Sequence, residues 1–216
     1  MNAQTQTLSL QGGAGAVEAL LDLPEPDLFR QPHGTVVIAH PHPLFGGTMH
    51  NKVVQTVARA FVQCGWRAVR FNFRGVGASA GAHDEGRGES DDLRAVIEQT
   101  RTAGAPLALA GFSFGAFVTA RALATLWDEQ PAPEVASKIV LVGTAASRFA
   151  VPPVPEALHA QTLVIHGEQD DTVPLAAVMD WARPQSLPVT VVPGGGHFFH
   201  GQLPLLKSLV TRHVRV

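Results

Sequence analysis

PLALAGFSFGAFVTARALATL, residues Pro106 to Leu126, joins a continuous apolar run to a helix-forming segment through the pentapeptide Gly111-Phe112-Ser113-Phe114-Gly115. An unbroken run such as PLALAGF suits a strand buried on both faces of a sheet. The segment after it predicts a helix from Phe114 to about Trp127. The pattern G-x-S-x-G alone is weak, but a sharp strand-to-helix turn is where it acquires meaning. Such a turn lifts one side chain clear of the sheet edge, and the flanking glycines relieve the crowding that follows. The structural alternative is a serine that merely caps the helix.

The same alternation extends in both directions. Apolar runs at Thr35–His40, Arg67–Phe73, Lys138–Thr144, Gln161–Gly167 and Val189–Gly194 are further strands, separated by stretches of helical period. Val53, Val54, Val57, Ala60 and Phe61 mark one helix, Leu93, Val96 and Ile97 another, and Leu203 to Val214 a last one. Strands alternating with helices imply an α/β fold whose mostly parallel sheet is covered on both faces. Weaker segments near Leu8 and at Val17–Asp22 are expected to add an antiparallel edge. The stretch Gly75–Gly88 reads as an irregular surface loop. The following helix is expected to begin after Gly88-Glu89-Ser90, with Ser90 as cap and Glu89, Asp91 and Asp92 favouring its positive end.

The chain has 216 residues, of which 45% are hydrophobic and 16% charged, with a net charge of -2. That supports one domain with a substantial core, residues 1–216, and offers no basic field for a polyanion, so no nucleic-acid partner is expected. A single cysteine, Cys64, cannot form an internal disulfide, and the first residues lack the pattern of a secretory signal. A cytoplasmic location is therefore expected. No apolar run approaches the length of about 20 residues that spans a bilayer, so no membrane partner is expected either.

A serine hydroxyl becomes nucleophilic only when a base takes its proton, and that base needs a carboxylate to fix its tautomer. His197 is the preferred base among ten histidines, because it follows the last strand and the flexible run Gly194-Gly195-Gly196. His200, one helical turn on, reads as a surface residue. The segment HGEQDDTVP (His166–Pro174) supplies the acid. Asp170 is preferred to Asp171 and Glu168, since Thr172-Val173-Pro174 then leads into the next helix with proline at its start. Developing negative charge needs two backbone donors. One is the amide of Phe114. The other belongs to the loop His40-Pro41-His42-Pro43-Leu44-Phe45, where the prolines have no N–H and leave His42 or Leu44; His42 is chosen. The His-Pro-His run has no cysteine or acid beside it to complete a metal site, so neither metal nor cofactor is expected.

Taken together, AHPHPLFGGTMHNKVVQTVARAF, RFNFRGVGASAG, ESDDLRAV, LAGFSFGA, HGEQDDTVP and GGGHFFHGQL resemble the small, capless bacterial members of the α/β-hydrolase superfamily related to dienelactone hydrolases. The resemblance runs from about Thr35 to the C-terminal helix. It implies an α/β-hydrolase fold without a cap domain, a triad of Ser113, Asp170 and His197, and oxyanion donors at His42 and Phe114. Dienelactone hydrolases proper carry a cysteine nucleophile, so their lactone chemistry does not transfer to a chain with serine there. Only Ala145–Ala160 separates two strands where larger relatives insert a lid, so an open depression walled by Leu44, Phe45, Phe114 and Phe198 is expected. The expected function is hydrolysis of short-chain carboxylic esters, small-molecule acyl substrates, through an acyl-enzyme. A thioesterase or amidase would use the same groups, and a non-catalytic binding protein would keep the fold without an activated serine. Oligomeric state stays open.

Overall fold

The computed structural model describes residues 4–215. In chain order its strands are β1 (Thr5–Gly12), β2 (Gly15–Asp22), β3 (Thr35–Ala39), β4 (Arg67–Phe71), β5 (Leu107–Phe112), β6 (Lys138–Val142), β7 (Thr162–Gly167) and β8 (Val189–Val192). The α-helices are α1 (Lys52–Gln63), α2 (Arg87–Thr100), α3 (Phe114–Glu129), α4 (Leu175–Ala182) and α5 (Leu203–Val214). All the strands join one sheet in the order β1-β2-β4-β3-β5-β6-β7-β8. From β4 to β8 every pairing is parallel, while β1 and β2 form the expected antiparallel edge.

The period-2 geometry of a strand sends alternate residues to opposite faces, and here both faces are covered. Val37 and Ala39 of β3 face a core shared with Leu93, Val96 and Ile97 of α2, Phe117 and Leu123 of α3, and, further along the sheet, Val178 of α4. Val36 and Ile38 face the other way, onto Val53, Val57 and Phe61 of α1 and Leu206 and Val210 of α5. One polar residue interrupts the apolar run of β4. Arg70, 1% exposed, is neutralised by a two-pronged contact to Asp22 of β2 at 2.7 and 3.1 Å.

Several strands stop short of their sequence-predicted ends. β3 ends at Ala39 and not His40, β4 at Phe71 and not Phe73, β6 at Val142 and not Thr144, and β8 at Val192 and not Gly194. The cause is the same carboxyl edge in each case, where the chain leaves the ladder for other partners. The amide of Phe73, for instance, donates to the ring of His40 and not to a neighbouring strand.

Helix α2 also begins earlier than expected, at Arg87, and Ser90 is not its cap. Glu89, wholly buried, accepts hydrogen bonds from the amides of Asp84 and Gly86, both at 2.8 Å, so a longer carboxylate fills the role that serine was expected to take. Asp92 is equally structural: it pairs with Arg74 at 2.8 Å and accepts from the Gly13 amide. Between β6 and β7, residues 143–161 carry a single 3-10 helix (Glu156–Gln161) and no lid. Among the described residues no helix is long and apolar enough to cross a membrane.

Candidate active site

Ser113 stands between the last residue of β5 and the first of α3 with φ 57° and ψ -117°, a backbone conformation that side chains with a Cβ rarely adopt. Such strain costs about 1–3 kcal/mol and persists only where the surroundings over-determine it. Here the Ser113 amide donates to Val142 O at 2.8 Å, and α3 presses directly onto the ends of β5 and β3. A Cβ on Gly111 would lie 2.3 Å from Gly115 O, and one on Gly115 would lie 2.3 Å from Ala39 O. The two glycines are therefore required by close backbone approach, which is what the pentapeptide suggested.

The sheet brings the three expected polar side chains together at its carboxyl edge. Ser113 Oγ lies 2.9 Å from His197 Nε2, and His197 Nδ1 donates to Asp170 Oδ2 at 2.6 Å. All three are buried, at 7%, 3% and 6% exposure. The loop after β8 reaches this position because it is tied to the acid's loop: Glu168 N donates to Val192 O, and Gln169 N to Gly195 O at 2.8 Å. The imidazole of His197 then rests on the ring of Phe112, 5.0 Å between centroids. The second oxygen of Asp170 accepts from the amides of Thr172 and Val173 at 3.0 and 2.7 Å. Burial alone would push the Asp170 carboxyl up, but the His197 hydrogen bond, the Val173 amide and the two nearby imidazoles together hold it below its ordinary range. It remains an acceptor. Asp171 is exposed and reaches only Thr172 Oγ1, and Glu168 accepts from the Gly194 amide. His200 is on the surface, as expected.

The loop after β3 supplies the facing wall. Its Leu44 amide is already engaged, donating to His42 Nδ1 at 3.3 Å. Among the described residues, neither the His42 amide nor the Phe114 amide donates to a protein acceptor. His42 is held neutral by burial first and then by the neighbouring His83 and Arg148, with Glu89 opposing, which suits a ring nitrogen that accepts. His40, at the root of the loop, is completely buried: Nδ1 donates to Pro41 O at 2.6 Å and Nε2 accepts from Phe73 N at 3.0 Å. Burial pushes its pKa down to about 4. The His-Pro-His run is thus a structural staple, and among the described residues no group of three His, Cys, Asp or Glu side chains is placed to hold a metal ion.

Around Ser113 lies a depression of about 270 Å³. Phe45, Phe114 and Phe198 line it, as expected, together with Phe149, which stacks on Phe117 at 4.6 Å. Leu44 does not. Both it and Phe45 are exposed, at 69% and 78%, but the 3-10 turn Pro43–Phe45 sends successive side chains in different directions and only Phe45 borders the depression. Asn51, Arg148, Phe149, Thr172 and Val173 also line the depression and were missed from the sequence. The signal existed: Arg148 and Phe149 follow β6, and ligands in α/β sheets bind outside the carboxyl ends of the strands.

Residues 30–160 match the serine aminopeptidase S33 family. A lidless α/β serine hydrolase from Xanthomonas campestris is 39% identical, with 100% of this chain and 95% of that one covered at a TM-score of 0.84. This chain is an α/β serine hydrolase of that family. The hydrolase is also 35% identical to an α/β serine hydrolase homologue from Coxiella burnetii, with 99% of this chain and 98% of that one covered at a TM-score of 0.81. An uncharacterized protein of Rickettsia prowazekii is 41% identical over 85 residues, a stretch that spans 38% of the hydrolase and only 36% of that relative.

Proposed function

We propose that this hydrolase cleaves short-chain carboxylic esters through an acyl-enzyme on Ser113. The observation that carries the reading is the hydrogen-bonded line from Ser113 Oγ through His197 to Asp170, 2.9 and 2.6 Å long, beside two amides without a protein acceptor. His197 Nε2 takes the hydroxyl proton as Ser113 Oγ attacks the ester carbonyl. Asp170 keeps the other ring nitrogen protonated and stabilises the imidazolium. The amides of His42 and Phe114 receive the developing oxyanion, where a single donor is worth about 3 kcal/mol of the barrier. The imidazolium then protonates the departing alcohol, and water, deprotonated by the same ring, releases the acid and restores Ser113.

The matched family takes its name from a serine aminopeptidase, and the lining argues against a peptide substrate here. A peptide's terminal ammonium requires a carboxylate partner, and no Asp or Glu is among the residues that line the depression. Its aromatic walls and open mouth suit a small acyl group better. The test is labelling by a fluorophosphonate probe followed by turnover of 4-nitrophenyl, thioester and anilide substrates. Ser113 should label and the ester should be turned over fastest. An unlabelled serine, or an anilide preferred to the ester, would overturn the reading.

A further inference from the structure

We propose that Arg148 makes this site select esters whose acyl or alcohol half carries a carboxylate; the inference rests on the ester reading above and narrows it. Arg148 is the only lining residue with a formal charge, and it faces a depression otherwise built from phenylalanines, glycines, neutral polar groups and imidazoles. Among the described residues five other arginines are paired with carboxylates: Arg70 with Asp22, Arg74 with Asp92, Arg87 with Asp84, Arg94 with Glu129 and Arg183 with Asp180. Arg148 has no such partner. The acids around the site are committed to other groups, Asp170 to His197, Glu168 to the Gly194 amide and Glu89 to the amides of Asp84 and Gly86.

The backbone that carries this arginine is also fixed. Arg148 N and Phe149 N both donate to Ala145 O at 3.1 Å, closing a tight turn directly after β6. Phe149 anchors that turn to the core through its stack on Phe117 and an edge contact with Phe114 at 5.3 Å. An exposed arginine at the mouth of an aromatic slot, with its planar fork of donors unspent, is placed to take a carboxylate in two parallel hydrogen bonds. A neutral acyl chain would leave that capacity to water. The slot and the guanidinium together describe a substrate with an apolar middle and an anionic end.

The experiment compares matched pairs. For the acyl half, 4-nitrophenyl hexanoate is set against the mono-4-nitrophenyl ester of adipic acid; for the alcohol half, methyl 4-acetoxybenzoate is set against 4-acetoxybenzoate. The kcat/KM ratio of charged to neutral ester should fall by about fivefold to tenfold in Arg148→Gln in at least one pair, and Arg148→Lys should keep part of it. Raising the salt concentration should shrink the wild-type ratio, since exposed charges are screened. A ratio unmoved by Arg148→Gln in both pairs overturns the proposal. Failure of the ester reading is distinct, because wild-type protein would then leave 4-nitrophenyl hexanoate intact. Ligand-observed NMR with adipate on the Ser113→Ala protein reads the arginine independently of turnover: binding should disappear when Arg148→Gln is added, and binding that survives the change would overturn the proposal.

Discussion

Asp170 and His197 are joined by a 2.6 Å hydrogen bond from Nδ1 to Oδ2, while the other carboxylate oxygen is held by the amides of Thr172 and Val173. The acid is thereby fixed at both oxygens, and Asp171 beside it points to solvent. Asp170→Asn should lower kcat on a 4-nitrophenyl ester by about a thousandfold to ten-thousandfold, through loss of the correct tautomer. Asp171→Asn should stay within about twofold, as exposed substitutions generally do. The reverse order of damage would move the acid by one residue.

The positive φ of Ser113 separates activity from stability. Ser113→Ala should lose turnover by about a thousandfold or more, and adding His197→Ala should cost little beyond that, because members of a triad act as a unit. Alanine keeps a Cβ in the strained conformation, whereas glycine tolerates it. Ser113→Gly should therefore melt higher than Ser113→Ala, by an amount corresponding to about 1 kcal/mol. Equal melting temperatures would mean that the turn is not strained.

Much of this site could be read from residue types. A nucleophile, a base and an acid each need particular chemistry at the end of a particular strand, and the three residues chosen on that ground, Ser113, Asp170 and His197, lie within hydrogen-bond reach of one another. The choice between Asp170 and Asp171 is harder, since both are aspartates; the Thr172 and Val173 amides that hold Asp170 beside His197 belong to a loop conformation, not to a composition. Leu44 and Phe45 are equal candidates for the wall by residue type, and only the 3-10 turn decides which of them borders the depression. Ser90 lost its capping role to Glu89 for a similar reason, because the start of α2 is set by which side chain can reach the amides of Asp84 and Gly86. Arg148 went unnoticed because nothing local marks an arginine as lacking a partner; that property belongs to the whole fold.

The buried imidazoles make stability depend on pH. His40 titrates at about 4 in the folded protein, against 6.5 ordinarily, because burial disfavours its charged form. Between those values the unfolded chain binds the proton and the folded one does not. The contribution is therefore complete above about pH 6.5 and is lost as the pH falls towards 4, amounting to about 3 kcal/mol. His166 and His213, lowered chiefly by burial, act in the same direction. Urea unfolding at pH 7 and pH 5 should show the native state weakening, and His40→Asn should weaken less over the same interval whatever its stability at pH 7. An identical loss in the variant would remove His40 from the account.

Substrate size is set by an enclosure that the fold does not provide. The depression holds about 270 Å³, at the small end of ligand sites, which run from about 300 to 1,000 Å³. Its outer walls, Phe45 and Phe198, are 78% and 44% exposed, and the β6–β7 connection offers nothing to lay across them. A methylene buried against such walls contributes about 0.8 kcal/mol, or about fourfold in kcat/KM, and one that extends past them contributes almost nothing. Across unbranched 4-nitrophenyl esters, kcat/KM should therefore peak between about two and six acyl carbons and then level off or fall. Phe149 lines the depression and stacks on Phe117, so Phe149→Ala should move the peak towards longer chains by enlarging the slot. A wild-type maximum at twelve carbons or more would mean that a second copy of the chain or a closing loop completes a tunnel. An unmoved peak in Phe149→Ala would place the acyl group against Phe198 instead.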